Sequence, residues 1–279
     1  MIQVRLQQYG MPKAVLSLQR PEMPPPLKWA GGKRWLVPTL KKLWRGHEHR
    51  RLVEPFVGGM AVALGLRPDR ALLNDQNEHV INFYRWLQKG LKPTIPSGSE
   101  SQTYYDNRTE FNRLIVERKQ EQQKAAMLFY YLNRNCYNGL CRFNRSGGFN
   151  TPHGKYKNPQ YLEDLTAYRE AVQGWEFTAG DFAAIELGRG DFLYADPPYD
   201  DAFTDYSAGG FSWQDQVRLA NWLANHDGPI VVSNHATARI LKLYQERDFD
   251  VSQVVPAPRM INCTGDRSPA LEMVATRGF

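Results

Sequence analysis

Short apolar runs alternate with longer stretches of helical periodicity along most of the chain. The runs with the length of a buried strand are residues 52–56, 71–73, 176–178, 192–195, 230–233 and 271–276. The stretches with helical spacing are residues 33–45, 80–87, 106–118, 122–132 and 213–225. Because strands and helices alternate, the pattern predicts an α/β fold with a parallel sheet.

Two segments interrupt this alternation. Residues 1–26 have no clear periodicity and end in a proline-rich run, which predicts an extended leader. Residues 93–101 are rich in proline, glycine and serine and precede two helices that no strand separates. We therefore predict a catalytic domain formed by residues 27–92 and 170–279, with a mainly helical domain inserted at 93–169.

Positive charge is concentrated in the predicted insertion. The chain carries 35 Lys and Arg against 29 Asp and Glu, a formal charge of +6. Residues 125–160 contain no acidic residue and include Arg134, Arg142, Arg145, Lys155 and Lys157, interleaved with aromatic side chains. This mixture is typical of nucleic-acid contact surfaces. A basic surface with aromatic residues in the local core is the alternative.

The cysteines and the apolar runs bear on location and metal binding. Cys136, Cys141 and Cys263 are too few and too irregular for a disulfide framework, and we interpret them as reduced thiols in a cytoplasm. With His153 they do not complete a four-ligand zinc set, so we predict no metal. No run approaches the roughly 18 apolar residues of a membrane span, and we expect no membrane partner.

Glycines follow the first predicted strand. Residues 54–59 read Glu-Pro-Phe-Val-Gly-Gly, and open α/β sheets bind ligands where strand ends meet glycine turns and helix N-termini. Asp75 ends the next strand, where an acidic side chain commonly receives ribose hydroxyls. A helix cap at Asn74-Asp75 is the alternative.

A second motif follows the strand at 192–195. Asp196-Pro197-Pro198-Tyr199 places an acidic side chain, a stiff loop with a presentable carbonyl and an aromatic face at the same sheet edge. A conjugated exocyclic amine is a weak nucleophile, and two acceptors for its N–H groups would favour a pyramidal, reactive nitrogen. An ordinary proline turn is the alternative.

These motifs occur in the order of a known family. The stretches that carry the likeness are residues 27–33, 54–59, 74–75, 132–134, 137–140, 142–144, 148–150, 154–156 and 196–199. Together they resemble the Dam-type (D12 class) DNA adenine-N6 methyltransferases over roughly residues 27–277. The resemblance implies a Rossmann-like S-adenosylmethionine-dependent methyltransferase sheet with an inserted, mainly helical target-recognition domain.

The resemblance also implies which residues bind the cofactor and the target base. S-adenosylmethionine, with S-adenosylhomocysteine as product, is expected to contact Trp29, Ala30, Gly31, Lys33, Glu54, Pro55, Phe56, Gly58, Asp75, Asp181, Phe182 and Asp196. Asp181 is expected to receive the cofactor's adenine. Asp196, Pro197, Pro198 and Tyr199 are expected to hold a flipped adenine, whose methylation is direct and in line.

The resemblance implies that double-stranded DNA is the partner, and we expect the protein to be a monomer. The DNA-contacting residues implied by the resemblance are Lys28, Arg134, Tyr137, Asn138, Leu140, Arg142, Asn144, Asn150, Pro152, Lys155 and Tyr156. Tyr137 would insert beside the target, Asn138 would cover the space left by the flipped base, and Arg142 would read guanine through O6 and N7. The implied target sequence is GATC.

Two alternatives stay open at this stage. A methyltransferase acting on another planar nitrogen, such as cytosine N4, RNA adenine or a protein amide, faces the same chemical problem. Asp at position 196 and the basic insertion weigh against these. A catalytically inactive DNA-binding regulator of the same fold is the second alternative, although every inferred catalytic position is filled.

Overall fold

The computed structural model describes residues 23–93, 101–199, 210–257 and 270–279. Most of the predicted leader, residues 94–100 of the predicted linker, and Cys263 lie outside the described residues.

The described residues form eight α-helices and seven strands, with single 3₁₀ turns at Arg34–Leu36, Tyr137–Gly139 and Phe182–Ala184. The helices are α1 (Val37–Trp44), α2 (Ala61–Leu66), α3 (Glu78–Lys89), α4 (Ser101–Val116), α5 (Gln123–Asn135), α6 (Thr166–Ala171), α7 (Trp213–Ala224) and α8 (Ala238–Gln245). The strands are β1 (Leu52–Glu54), β2 (Ala71–Asp75), β3 (Trp175–Ala179), β4 (Phe192–Ala195), β5 (Ile230–His235), β6 (Asp250–Ala257) and β7 (Ala270–Arg277).

All seven strands belong to one sheet in the order β3-β2-β1-β4-β5-β7-β6. The first five are parallel, and β7 runs antiparallel to both of its neighbours. The strand order reverses between β1 and β4, because the chain moves outward through β2 and β3 before returning. In open α/β sheets, ligands bind beyond the carboxyl ends of the strands at such a reversal. The Rossmann-like fold expected from the sequence is thereby confirmed.

Every strand and helix predicted from periodicity is present, with ends shifted by a few residues. Four elements were not individually bounded by the sequence pattern: α2, α6, α8 and β6. Helices α2 and α6 are only six residues long, and β6 is an edge strand with mostly exposed side chains, so none of these three gives a strong periodic signal. The predicted linker ends earlier than expected, because α4 already begins at Ser101.

The insertion shares its core with the sheet domain. One apolar cluster joins residues of the sheet to residues of α3, α4 and α5. The Phe83 ring of α3 stacks on the Tyr130 ring of α5 at 5.4 Å, with an interplanar angle of 7°. Helices α7 and α8 cover the opposite face of the sheet. The insertion therefore packs against α3 as a continuation of one layer, while its bounds at 93 and 169 stay a prediction.

Cys136 and Cys141 are free thiols. Among the described helices, none has the length and apolar character that crossing a membrane requires.

Candidate active site and DNA-binding face

The site is centred on the reversal between β1 and β4. Asp196 directly follows β4, and Glu54 is the last residue of β1. Adjacent parallel strands end at the same sheet edge, so the two predicted motifs meet there. The Asp196 side chain is half-buried, whereas Glu54 is 2% exposed.

Lys33 connects the amino-terminal segment to this centre. Its side chain is buried, with Nζ 2.8 Å from Asp196 Oδ1 and 2.9 Å from Oδ2. Nζ also donates to the carbonyl of Gly31 at 2.8 Å and to the Tyr199 hydroxyl at 2.9 Å. A buried ammonium needs this degree of pairing to offset its desolvation. The structure therefore brings Lys33, Asp196 and Tyr199 together, as the sequence implied.

Residues of β4 and β5 fix the Asp196 carboxylate further. Ser233 Oγ donates to Asp196 Oδ1 at 3.0 Å, and the Ser233 and Tyr194 hydroxyls hydrogen-bond to each other at 2.7 Å. A carboxylate can accept about four hydrogen bonds. Asp196 thus retains capacity for one more donor beside the contacts from Lys33 and Ser233.

The two prolines of the motif are held by a buried amide relay. Gln216 of α7 is fully buried, and its Nε2 donates to the Pro198 carbonyl at 2.8 Å. Asn234 Nδ2 in turn donates to Gln216 Oε1 at 3.0 Å. Because the Pro198 carbonyl is engaged in this relay, the loop has a defined orientation at the end of β4.

The glycine loop lies against Trp29. Gly58 has φ +44°, and a Cβ there would lie 2.5 Å from Trp29 Nε1, so only glycine fits. The Tyr84 hydroxyl donates to the Gly58 carbonyl at 2.6 Å, and Met60, at φ 63°, is the N-cap of α2. Trp29 and Tyr84 therefore contact this loop from two sides.

Asp75 supports the same loop from β2. Its Oδ2 accepts the Gly58 N–H at 2.9 Å, and its Oδ1 accepts the Asn77 N–H at 2.9 Å. The cap of α3 itself is Asn77, whose side chain accepts from His79 and Val80. Burial raises the pKa of Asp75, while its two backbone donors oppose that change. Contact of Asp75 with ribose stays a prediction.

Asn74, which the sequence analysis treated only as a possible cap, joins three strand ends. Its Nδ2 donates to the carbonyls of Pro55 and Gly180, each at 3.0 Å. Its Oδ1 accepts from Thr178 Oγ1 at 3.0 Å. One buried amide thus aligns the loops after β1, β2 and β3.

A cavity of about 150 Å³ opens beside this alignment. It is lined by Pro55, Phe56, Gln76, Gly180, Asp181, Phe182, Gly210, Phe211, Asp215 and Arg218. The Phe56 ring lies 5.7 Å from the rings of both Phe182 and Phe211. Four residues predicted to bind the cofactor therefore line one aromatic cavity, which suits a planar heterocycle.

Asp181 is paired at the rim of this cavity. Both of its oxygens accept from Arg218, at 2.7 and 2.8 Å, and Oδ1 accepts the Ala183 N–H at 2.8 Å. The Arg218 guanidinium lowers the pKa of Asp181, which keeps the carboxylate ionised. Arg218 also lies 4.3 Å from the centre of the Phe182 ring. Sequence reasoning did not identify Arg218, since one arginine on an amphipathic helix is unremarkable.

Two further carboxyl groups are buried near Asp196. Burial raises the pKa of Glu54 well above its usual range, and its Oε1 has no hydrogen-bond partner among the described residues. Burial also raises the pKa of Glu272 to about 7. Glu272 Oε2 accepts from the Tyr199 hydroxyl at 2.8 Å. Glu272 is the one acid in β7, and sequence reasoning did not identify it, because a single polar residue in a strand carries little information.

Two of the predicted DNA-contacting residues, Arg134 and Tyr156, contact a third, Lys28, in the segment before Lys33. The backbone of Lys28 exchanges two hydrogen bonds of 2.8 Å with the Asn133 side chain of α5. Lys28 Nζ lies 4.0 Å from the centre of the Tyr156 ring and donates to the Arg134 carbonyl at 3.0 Å. Gly139, at φ +67°, passes so close to Lys28 that a Cβ would lie 2.5 Å from the lysine Cβ.

A short hairpin presents Arg142. The carbonyl of Arg142 accepts the Asn150 N–H at 3.0 Å, and Asn150 Oδ1 accepts from Arg142 Nε at 2.9 Å. Asn144 accepts from Ser146 and Gly148 and thereby closes the turn. Arg142 is exposed at the base of this hairpin. Its guanidinium is held by Asn150 through Nε, and the two terminal nitrogens make no hydrogen bond within the described residues.

The remaining predicted DNA residues have different environments. Tyr137 is 50% exposed and its N–H donates to the Pro152 carbonyl at 2.8 Å, while Asn138 adopts φ 52°. Leu140 is half-buried, and Pro152 and Lys155 are exposed. Arg134 donates from Nε to the Gln160 carbonyl at 2.6 Å and from Nη1 to that of Pro26 at 3.4 Å. Its guanidinium thus ties two loops together, and its contact with DNA stays a prediction.

No group of three His, Cys, Asp or Glu side chains suited to a metal ion occurs within residues 23–93, 101–199, 210–257 and 270–279.

Comparison with known proteins identifies the family of this chain. The family model for the D12 class N6 adenine-specific DNA methyltransferases matches residues 29–255. The Escherichia coli retron Ec67 DNA adenine methylase is 35% identical over 266 residues, covering 90% of each chain. A DNA N-6-adenine-methyltransferase of Escherichia phage P1 is 36% identical over 258 residues, covering 86% of this chain. This chain spans a third of the length of that phage relative.

A solved structure from Pyrococcus horikoshii, named provisionally as an RNA methyltransferase, aligns with a TM-score of 0.41 at 9% identity, over 87% of this chain and 81% of its own. The match of the family model across the two motifs and the insertion decides the assignment. The chain belongs to the D12 class of N6 adenine-specific DNA methyltransferases.

Proposed function

We propose that this protein transfers a methyl group from S-adenosylmethionine to N6 of adenine in double-stranded DNA, within GATC. The observation that carries the proposal is the position of Asp196, Pro197, Pro198 and Tyr199 at the reversal of the strand order, where Lys33 holds the carboxylate and the tyrosine together. A basic hairpin face lies at the other end of the segment that contains Lys33.

The cofactor's adenosine fits the cavity lined by Phe56, Asp181 and Phe182. Gly58 has no side chain of its own, and this loop, with Trp29 packed against it, would border the rest of the molecule on the side toward Asp196. When bound, S-adenosylmethionine supplies an electrophilic methyl group on a sulfonium. A direct displacement of this kind needs no covalent enzyme intermediate.

The residues of the motif would act on the target amine. The Asp196 carboxylate accepts one N6–H, for which it has capacity beside Lys33 and Ser233. We assign the second acceptor to the Pro197 carbonyl, because the Pro198 carbonyl is engaged by Gln216. The N6 lone pair would form the N–CH₃ bond as the S–CH₃ bond breaks, the bonding pair of the S–CH₃ bond would stay on the sulfur of S-adenosylhomocysteine, and one N6 proton would pass to solvent. Tyr199 provides the stacking face for the extruded base.

The proposal is tested by sequencing plasmid DNA at single-molecule level after incubation with purified protein and S-adenosylmethionine. N6-methyladenine confined to GATC is the expected result. Methylation in another motif would overturn the assigned sequence alone. Methylation of an RNA of the same sequence, with unmodified DNA, would transfer the activity to RNA, and absence of methylation on both would favour an inactive DNA-binding regulator.

Replacing Asp181 with alanine tests the cofactor cavity. We expect the KM for S-adenosylmethionine to rise about tenfold with kcat little changed, because one hydrogen bond to a charged group is lost in binding. Steady-state incorporation of labelled methyl groups measures both constants. The matched control is Asp227→Ala, since Asp227 is 71% exposed and precedes β5 at the opposite sheet edge. An unchanged KM would remove Asp181 from the cofactor site.

Replacing Arg142 with alanine tests sequence reading. A bidentate arginine contributes about 1–3 kcal/mol of discrimination against the wrong base. We therefore expect kcat/KM on GATC to fall about ten- to hundredfold, with little change on duplexes altered at the guanine that Arg142 reads. Asn150→Ala should have a smaller effect in the same direction, because it releases the Arg142 side chain.

The control for this series is Arg189→Ala, since Arg189 is 95% exposed and paired with Asp227 at the opposite sheet edge. Competition between methylation of matched and altered duplexes gives the discrimination directly. A uniform loss of activity on all duplexes would mean that Arg142 contacts only phosphate.

A further inference from the structure

Glu272 is a buried acid that the proposed chemistry does not use. It belongs to β7, opposite His235 of β5, and is 2% exposed. Its Oε2 accepts from the Tyr199 hydroxyl at 2.8 Å. Its Oε1 accepts no hydrogen bond within the described part of the chain and faces Lys33 Nζ at 3.4 Å.

Glu272 closes a ring of polar contacts around the proposed transfer centre. Lys33 Nζ donates to the Tyr199 hydroxyl at 2.9 Å, and that hydroxyl donates to Glu272. The tyrosine oxygen is thereby fixed between an ammonium and a carboxylate. Its ring also lies 6.1 Å from the His235 ring. Since Tyr199 sits in a loop, these contacts determine where the face of the ring points.

We propose that Glu272 is a positioning residue for methyl transfer, holding Lys33 and Tyr199 where the target base must stack. This inference rests on the proposed function. Glu272 acts through Tyr199 and Lys33, and it need not contact the base or the cofactor itself.

The surroundings of Glu272 make its charge costly. The charged and titratable groups around it are Lys33, Asp196, Tyr199 and Tyr194, together with His235 across the strand pair. Burial raises the pKa of Glu272 from 4.5 to about 7, Asp196 adds to this increase, and Lys33 opposes it. A raised pKa means that the fold favours the neutral acid, so stability is lost as pH rises through about 7. A carboxylate kept only for packing would bring no advantage over an amide.

Glu272→Gln separates positioning from packing. At pH 8 we expect kcat to fall about tenfold, below the hundredfold that a misplacement of about 1 Å can cost, with the KM for S-adenosylmethionine and DNA near the parent values. The ratio of parent to variant kcat should approach one as pH falls to 6, because the parent carboxylate becomes protonated. The melting temperature of the variant should rise relative to the parent as pH rises.

Two further variants provide a control and test whether Glu272 acts through Tyr199. Glu246→Gln is the control, because it makes the same carboxyl-to-amide change at a side chain that is exposed at the end of α8. Tyr199→Phe removes the hydroxyl that Glu272 holds. In the double variant Glu272→Gln/Tyr199→Phe, the loss in kcat should be smaller than the product of the two single losses.

The outcomes distinguish this inference from the function beneath it. A parent protein that methylates no substrate would overturn the proposed function. A parent that methylates while Glu272→Gln keeps its full kcat at pH 8, or shows a loss independent of pH, would overturn the role of Glu272 alone. If Glu272→Gln did not fold, Glu272→Asp would replace it: retained acid sensitivity with a lower kcat supports the inference, and an unchanged kcat contradicts it.

Discussion

Replacing Asp196 with alanine should abolish methyl transfer while DNA binding persists. The variant loses the carboxylate acceptor for N6 and leaves Lys33 to pair with Glu272 alone. Removal of one preorganised polar group at a reacting centre costs about 10²–10³ in kcat, and we expect a loss at or beyond the upper end because Asp196 also orders Lys33. Single-turnover methylation at saturating cofactor measures the chemical step, and a gel-shift assay measures DNA binding.

The control for this change is Asp227→Ala, at an exposed position on the opposite edge of the sheet. Retained single-turnover activity in Asp196→Ala would contradict the assignment of Asp196 as acceptor. Loss of folding would be visible as a lost thermal transition, in which case Asp196→Asn, of the same size, tests the charge without removing the side chain.

Replacing Lys33 with methionine should remove both activity and stability. Lys33 is 3% exposed and lies between the half-buried carboxyl group of Asp196 and the buried carboxyl group of Glu272. Breaking a buried ion pair by removing one partner costs about 3–5 kcal/mol of unfolding free energy, because the other partner is left uncompensated. The pKa of Glu272, already raised to about 7 with Lys33 present, should rise further.

The stability loss in Lys33→Met should therefore depend on pH. It should be largest near pH 8, where Glu272 of the parent protein is ionised and faces Lys33, and shrink toward pH 6 as Glu272 is protonated. Urea denaturation at both pH values measures this difference. Lys41→Met is the matched control, since Lys41 is exposed on α1. Full stability of Lys33→Met at pH 8 would contradict the charge balance described for this centre.

Strong local signals allowed much of the fold to be predicted. The buried strands β1, β4 and β5 contain short apolar runs, and α3 and α7 have regular apolar spacing, so their existence follows from periodicity. The direction of β7 did not follow, because an apolar run has the same pattern in either orientation. The core shared by the insertion and the sheet could not be predicted either, because packing between helices depends on tertiary contacts and not on the spacing of apolar residues.

Only part of the site could be predicted, because some of its residues lie in short motifs and others are brought in by tertiary contacts. Asp196 and Gly58 lie in short motifs with restricted chemistry, and both occupy the expected sheet edge. Ser233 and Glu272 complete the centre from strands distant in sequence, where single polar residues carry little information. The sheet rule offered one unused signal: Ser233, Asn234 and His235 follow an apolar run and therefore end a strand at the binding edge.

The segment from Lys28 to Lys33 limits how the target specificity of this enzyme could be changed by exchanging segments with a relative. Lys28 belongs to the proposed DNA face through Tyr156 and Asn133, yet it precedes the insertion by more than sixty residues. Five residues further on, and at most about 18 Å away along an extended chain, Lys33 reaches Asp196. Exchange of residues 93–169 between relatives would thus leave part of the reading surface behind. Transfer of target specificity between relatives would require both residues 93–169 and the segment from Lys28 to Lys33. A change in that segment would also affect the site of methyl transfer, because Lys33 contacts Asp196.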